Sequence, residues 1–226
     1  MIPGFELIDF IRIFGLLGVA IVVFAESGLL IGFFLPGDSL LFTTGLLAQQ
    51  GVFGGLSIHL IAGTLFIAAA AGDSVGYAFG NKVGRKIFKR KESLLFHPQN
   101  LVKAEEFYEK HGPKTIVIAR FVPVVRTFAP IIAGVGSMRY STFIMFNLVG
   151  AFMWAVGLTY LGYFVGSWFE ARGVDIDHYL LPIIALIILL SILPPLYHTF
   201  KEKKQRDAFI TFAKAQLVQL KKRFLK

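Results

Sequence analysis

Cysteine is absent from the 226 residues of this sequence, which excludes disulfides and thiol chemistry and leaves the compartment open. The five histidines are scattered without the spacing of metal ligands, so we expect neither a metal site nor a cofactor. Basic residues are missing from positions 1–9, which carry Glu6 and Asp9, so we expect no cleavable signal peptide. Charged residues are scarce, and apolar residues make up 55% of the chain, which is typical of a membrane protein.

The net charge of +9 is concentrated in two basic blocks. Residues 81–114 and 201–226 hold 18 of the 23 lysines and arginines. Positive charge beside apolar spans is typical of cytoplasmic loops, so we interpret both blocks as cytoplasmic and not as a surface for nucleic acid. Residues 97–112 and the basic tail also carry apolar side chains at helical spacing. We expect both to form interfacial amphipathic helices that contact anionic lipid, with a solvated helix as the alternative.

Three apolar stretches are long enough to cross a hydrocarbon core of about 30 Å as helices. They are residues 57–80, 140–168 and 179–199. A fourth stretch, residues 13–48, is interrupted by Pro36 and Gly37, and what remains after the break is too short for a second span. We therefore predict a re-entrant hairpin over about 13–48 that turns near residues 34–37.

A second re-entrant hairpin is predicted over about 115–138, where Pro123 and Pro130 interrupt the apolar run. We expect one helix to about Arg126 and a short return after Pro130. The charge bias places the two hairpins on opposite faces of the membrane, as in secondary transporters whose broken helices meet near the midplane. The predicted fold is an all-α membrane protein with two opposed re-entrant helical hairpins, three transmembrane helices and interfacial amphipathic helices. Residues 1–200 form the membrane domain, and 201–226 form a cytoplasmic tail.

Five ionisable side chains lie within the apolar regions: Glu26, Asp38, Asp73, Arg120 and Arg126. Each costs roughly 2.5–3.5 kcal/mol at membrane depth on insertion scales. A chain carries such charges where they meet partners, water or a substrate. The sequence therefore predicts a polar site inside the bilayer for a charged ligand.

The acidic residues of the first hairpin have different expected roles. Pro36 ends one helix and Gly37 permits the turn, after which Asp38 and Ser39 can cap the returning helix. Glu26 has no capping role, so we interpret it as a candidate proton carrier, and Asp38 as a second one.

The two arginines of the second hairpin keep their charge when desolvated and offer a planar fork that fits phosphate or carboxylate. We interpret Arg120 and Arg126 as candidate phosphate ligands. The alternative is that they pair with Glu26 and Asp38 to hold the hairpins together, and the two roles are compatible. Asp73 is a secondary polar candidate that can hydrogen-bond a broken helix. Glycines recur every four residues from 72 to 84, which indicates close helix packing, either within the chain or across a homodimer.

Three motifs carry a resemblance to a known family: Glu26 followed by Pro36-Gly37-Asp38, the run from Arg120 through Pro123, Arg126 and Pro130 to Gly134, and Gly72-Asp73-x-x-Gly76-Tyr77. The chain resembles the DedA family of bacterial inner-membrane proteins, which share a domain with eukaryotic lipid scramblases of the VTT type. The resemblance implies translocation of phospholipid or polyprenyl-phosphate carriers between leaflets, with dependence on the proton-motive force in several members. It also implies four required charges, which fall here on Glu26, Asp38, Arg120 and Arg126.

The resulting hypothesis is a proton-coupled translocase that moves undecaprenyl phosphate, or a related phospholipid, across the bacterial cytoplasmic membrane. The alternatives are a proton-coupled transporter or channel for small ions, a passive phospholipid scramblase, and a structural membrane protein. We expect no enzyme and no catalytic residues, because no histidine lies near the arginines and no phosphatase signature is present. The lipid carried, the direction of movement and the oligomeric state are left open by the sequence.

Overall fold

A computed structural model describes residues 7–29, 35–84 and 112–173. Across these ranges the chain is helical and contains no strand, so the predicted all-α class is confirmed. The predicted span over 179–199 and the basic tail over 201–226 lie outside the described residues. All but the last residue of the predicted interfacial helix over 97–112 also lies outside them.

The described residues form seven α-helices and two short π-helical segments. The helices are α1 (Leu7–Gly28), α2 (Gly37–Gln49), α3 (Ile58–Phe79), α4 (Thr115–Ala119), α5 (Pro123–Val135), α6 (Tyr140–Ala151) and α7 (Gly157–Glu170). One π segment, Gly80–Gly84, continues α3, and the other, Phe152–Val156, joins α6 to α7.

Three helical runs of the described chain are long and apolar enough to cross a membrane: Leu7–Gly28, Ile58–Val83 and Tyr140–Glu170. The second and third coincide within a few residues with the predicted spans over 57–80 and 140–168. The first lies where the sequence predicts one arm of a hairpin. On length and composition, the chain is a multi-pass membrane protein.

Helix α1 is bent and stops beside the middle of α3. Gly15 has a φ of +58°, a conformation that glycine adopts readily, and it divides α1 into two parts. The part after the bend is only about 20 Å long. A Cβ at Gly28 would lie 2.6 Å from the carbonyl oxygen of Gly72, which is well inside the Ile58–Val83 run. This position supports the predicted re-entrant hairpin, which stays a prediction.

Helix α2 begins at Gly37, directly after Pro36, and runs along α7. The two helices approach closely because Gly162 has no side chain: a Cβ there would overlap the backbone carbonyl of Phe42. Helix α3 starts with Ser57 as its N-cap, whose side chain accepts a hydrogen bond of 3.3 Å from the backbone N–H of Leu60.

The second predicted hairpin breaks at a different place from the one expected. Helix α4 ends at Ala119, and α5 begins at Pro123, whose missing N–H and fixed φ suit the first turn of a helix. Pro130 lies inside α5, so the predicted turn after Arg126 at Pro130 is wrong. The helix continues because its residues just after the proline pack closely against the end of α3 and the segment that continues it. Cβ atoms at Gly80 and Gly134 would overlap the backbones of Ile131 and Tyr77.

The apolar core lies between α1, α2, α3 and the Phe152–Val156 segment. Several large apolar side chains point outward instead and are more than half exposed: Ile13, Leu17, Ile21, Ile67 and Phe164. An outer apolar surface of this kind suits contact with lipid chains. Glycines of the 72–84 stripe instead face inward: Gly72, Gly76 and Gly80 all lie against neighbouring helices of the same chain.

Candidate functional site

The five ionisable residues of the apolar regions come together in two neighbouring ion-pair groups. Four of them are at least nine-tenths buried, and the fifth, Asp38, has a side chain that is 19% exposed. The groups lie where the break between α1 and α2 meets the break between α4 and α5. Each break ends one helix and starts another, so helix termini and charged side chains share one region of the fold.

Arg126, in the first turn of α5, pairs with one acid on α1 and one acid on α2. Its Nη2 donates to Oε1 of Glu26 near the end of α1. Its Nη1 donates to Oδ1 of Asp38 in the first turn of α2, at 2.5 Å. Because the guanidinium is planar and forked, one side chain holds two carboxylates from two helices at once.

Arg120, in the turn after α4, pairs with a different acid. Its Nη1 donates to Oδ2 of Asp73 at 2.5 Å and to Oδ1 of Asn147 at 2.7 Å. The amide of Asn147 in turn donates to the carbonyl oxygen of Ala70 at 3.0 Å. The expectation that both arginines pair with Glu26 and Asp38 therefore holds for Arg126 and is wrong for Arg120. Asp73 serves as an ion-pair partner and not as a ligand for a helix backbone.

Trp154 lies between the two groups. The carbon at the centre of the Arg126 guanidinium is 4.7 Å from the indole ring centroid, and that of Arg120 is 5.4 Å away. The indole Nε1–H donates to Oδ1 of Asp38 at 2.7 Å. A single buried aromatic side chain thus contacts both arginines and one of the acids.

The start of α2 is built differently from the predicted cap. Its N-cap position is Pro36, which makes no side-chain bond, so the predicted capping by Asp38 and Ser39 is wrong. The Ser39 hydroxyl donates to the carbonyl oxygen of Pro36 at 3.0 Å. Glu26 approaches the first residue of α2, where a Cβ at Gly37 would overlap its Oε2. The negative side chain therefore sits at the positive end of the helix dipole.

The charges of the site do not balance. Three carboxylates face two guanidinium groups, so the fully ionised site carries one excess negative charge. A buried excess charge of this kind favours uptake of a proton or a cation. Within the described part of the chain, three buried polar atoms of these residues also lack a hydrogen-bond partner: Glu26 Oε2, Arg120 Nη2 and Arg126 Nε. Two of the three are arginine donors, which suit an oxyanion.

Sequence reasoning missed two residues of the site, Asn147 and Trp154. An asparagine in an apolar span is a usable signal, since a buried amide needs partners. Trp154 lies near the middle of the Tyr140–Glu170 run, far from the interfacial positions that tryptophan prefers in membrane proteins. A metal centre finds no support in the described ranges, where no group of three or more potential ligands occurs.

The fold and the site define a class: a multi-pass α-helical membrane protein in which broken helices enclose a buried cluster of paired charges. The family profile of the VTT domain matches residues 35–164, which span α2 to α7 and include four of the five charges. The chain belongs to this family, the VTT-domain or DedA family. No solved structure matches the chain.

The relatives come from several bacteria. Protein DedA of Escherichia coli K12 is 42% identical over 184 residues, which cover 81% of each chain. An uncharacterized membrane protein of Mycobacterium tuberculosis H37Rv is 41% identical over 180 residues, 79% of this chain and 76% of the relative. The inner membrane protein YqjA of Escherichia coli K12 is 36% identical over 149 residues, 65% of this chain and 66% of the relative.

Proposed function

We propose that this protein moves the phosphate head group of a lipid across the bacterial cytoplasmic membrane, coupled to protons, with undecaprenyl phosphate as the leading substrate. The observation that carries the proposal is the position of Arg126, a forked cation held between Glu26 and Asp38 with one donor still unpartnered. An arginine in this setting can exchange carboxylate oxygens for phosphate oxygens without losing its charge.

Protonation of the acids provides the exchange step. A protonated carboxyl group no longer attracts the guanidinium as an ion, so Arg126 becomes available to a phosphate. Glu26 is 1% exposed and suits the role of the proton-holding group, while the more exposed Asp38 lies on the side from which a ligand can reach the site. The excess negative charge of the ionised site and the negative charge of the phosphate both favour proton uptake on binding.

The second arginine has a supporting role in this mechanism. Arg120 is tied to Asp73 and Asn147, and its free Nη2 supplies a second donor near the first arginine. Trp154 spaces the two guanidinium groups, and its ring face attracts both. The pair of arginines thus presents positive charge to one bound anion while each keeps an acid partner in reach.

The membrane setting completes the proposal. The hydrocarbon tail of the substrate stays among the outward apolar side chains while the head group passes through the charged site. The basic block at 81–114 and the tail at 201–226 face the cytoplasm and contact anionic lipid, according to the charge bias of the sequence. Neither catalysis nor nucleic acid has a role in it, and the chain works alone or as a homodimer.

Transport by the Arg126→Ala variant in proteoliposomes tests the proposal. We expect movement of a fluorescent polyprenyl phosphate between leaflets to be lost, because the only cation shared by Glu26 and Asp38 in the described site is removed. Arg172→Ala is the matched control, since Arg172 stacks on the exposed Trp168 at 3.8 Å and lies outside the site. Transport by Arg126→Ala at the parent rate would refute the assignment.

Two further measurements make the result interpretable. Arg126→Lys keeps the charge but not the fork that reaches two carboxylates, so we expect folded protein with at least tenfold slower transport. Gel filtration and circular dichroism establish that each variant is folded. Ion flux in vesicles that lack the lipid phosphate separates lipid movement from the alternative of an ion channel, which predicts a current without the lipid, whereas the translocase does not.

A further inference from the structure

Trp154 contacts both members of the Arg126–Asp38 ion pair. Its indole N–H and the Nη1 of Arg126 donate to the same oxygen, Oδ1 of Asp38, at 2.7 and 2.5 Å. Its ring lies against the guanidinium that shares this oxygen, at 4.7 Å. The tryptophan is therefore bonded to the acid and stacked on the base of the same ion pair.

We propose that Trp154 is a positioning residue for head-group exchange: it holds Asp38 by its N–H and the freed arginine by its ring when a phosphate separates the pair. This inference rests on the proposed function. When Arg126 turns to a phosphate, Asp38 keeps the indole donor, and the guanidinium keeps an aromatic face. Both partners then stay close enough to re-form the pair once the phosphate leaves.

The local backbone suits this role. Trp154 is the central residue of the π-helical segment Phe152–Val156, and such bulges are frequent at functional sites. The side chain is 2% exposed and packs in the core cluster, so its ring has a fixed place between the two arginines. Arg120, the other arginine that the ring contacts, is hydrogen-bonded to Asp73 and Asn147. Arg126 is therefore the arginine that can exchange its partners.

The pH profile of transport tests the proposal through the indole N–H. The groups that face Asp38 include Arg126 from α5, Glu26 from α1 and the indole itself. Trp154→Phe keeps an aromatic ring and removes the N–H that stabilises the ionised carboxylate. Because Glu26 and Asp38 share Arg126, loss of this hydrogen bond should shift the pH profile of transport, which the acid pair controls, toward higher pH.

Trp168→Phe is the matched control, because Trp168 is the second of the two tryptophans and is 51% exposed. We expect its pH profile to match that of the parent protein. A Trp154→Phe profile that also matches the parent would overturn the proposal. Arg126→Ala in the same assay separates failure of the proposed function from failure of the role of Trp154. If Arg126→Ala transports normally, the proposed function fails. If Arg126→Ala does not transport and Trp154→Phe has the pH profile of the parent, only the role of the tryptophan fails.

Fluorescence gives a second test that needs no substitution at position 154. In the Trp168→Phe protein, Trp154 is the only tryptophan, so its emission reports the site directly. Titration with a short-chain polyprenyl phosphate in detergent should change this emission until it saturates. In the double variant Trp168→Phe with Arg126→Ala, the change should be absent. Emission that does not respond to the phosphate lipid, in protein that transports it, would overturn the proposal.

Discussion

The guanidinium of Arg120 donates to Oδ2 of Asp73 at 2.5 Å, and both side chains are buried, 4% and 7% exposed. This pair connects the turn after α4 to the middle of α3, and Asn147 extends the connection to α6. The two arginines of the site are therefore unequal. Arg120 has one acid and one amide that fix it, whereas Arg126 has two acids that can be exchanged for another anion.

The first prediction concerns the Arg120–Asp73 pair. Asp73→Asn leaves a buried guanidinium without an ionic partner, and loss of one member of a buried pair costs about 3–5 kcal/mol. We expect a clear fall in the unfolding temperature of the purified protein in detergent. The double variant Asp73→Asn with Arg120→Gln removes both charges, so it should lose less stability than the two single variants combined. Strictly additive losses would show that the pair is not coupled.

A second prediction follows from the contact between Glu26 and Gly37. A Cβ at position 37 would overlap the Glu26 carboxylate, so Gly37→Ala should push that side chain away from Arg126. We expect folded protein with transport reduced at least tenfold. Gly63→Ala is the control, because a Cβ at that position of α3 meets no atom within 4 Å. If Gly37→Ala transports as well as Gly63→Ala, the carboxylate position does not matter for the reaction.

Much of this site could be predicted from the sequence, because charges in apolar stretches need a shared explanation. The five ionisable residues were found by their surroundings alone, and the structure brings them together. Which acid meets which arginine was not predictable, since pairing depends on how the helices pack. The sequence leaves Asp73 as a residue that can hydrogen-bond a broken helix, and α3 places it beside Arg120.

The effect of each proline on the helix that contains it is also not predictable from the local sequence. Pro123 and Pro130 both interrupt the apolar pattern, and local rules treat each as a place where a helix can end. The structure uses Pro123 as the first residue of α5 and keeps Pro130 inside the helix. Close glycine contacts between the end of α3 and the residues just after Pro130 hold α5 in place, and these long-range contacts are not visible in the local sequence.

The third prediction tests how α2 is held in place. A Cβ at Gly162 would overlap the backbone carbonyl of Phe42, so Gly162→Ala forces α2 and α7 apart. Overpacking of this kind costs about 1–3 kcal/mol, and we expect a lower unfolding temperature. Gly157→Ala lies on the same helix with no atom within 4 Å and should be neutral or stabilising by about 0.5–1 kcal/mol. Equal effects of the two substitutions would contradict the close approach.

The last prediction concerns the proton that the site takes up with its ligand. The fully ionised site has three acids and two arginines, so a bound phosphate adds negative charge to a site that already has an excess. We expect binding of a phosphate-bearing lipid to take up about one proton, measured by calorimetry in two buffers of different ionisation enthalpy. Glu26→Gln cannot accept a proton at this position, so the uptake should disappear. Glu170→Gln, at the exposed end of α7, is the control and should bind with the parent uptake. Equal proton uptake by Glu26→Gln and the parent protein would mean that another group carries the proton.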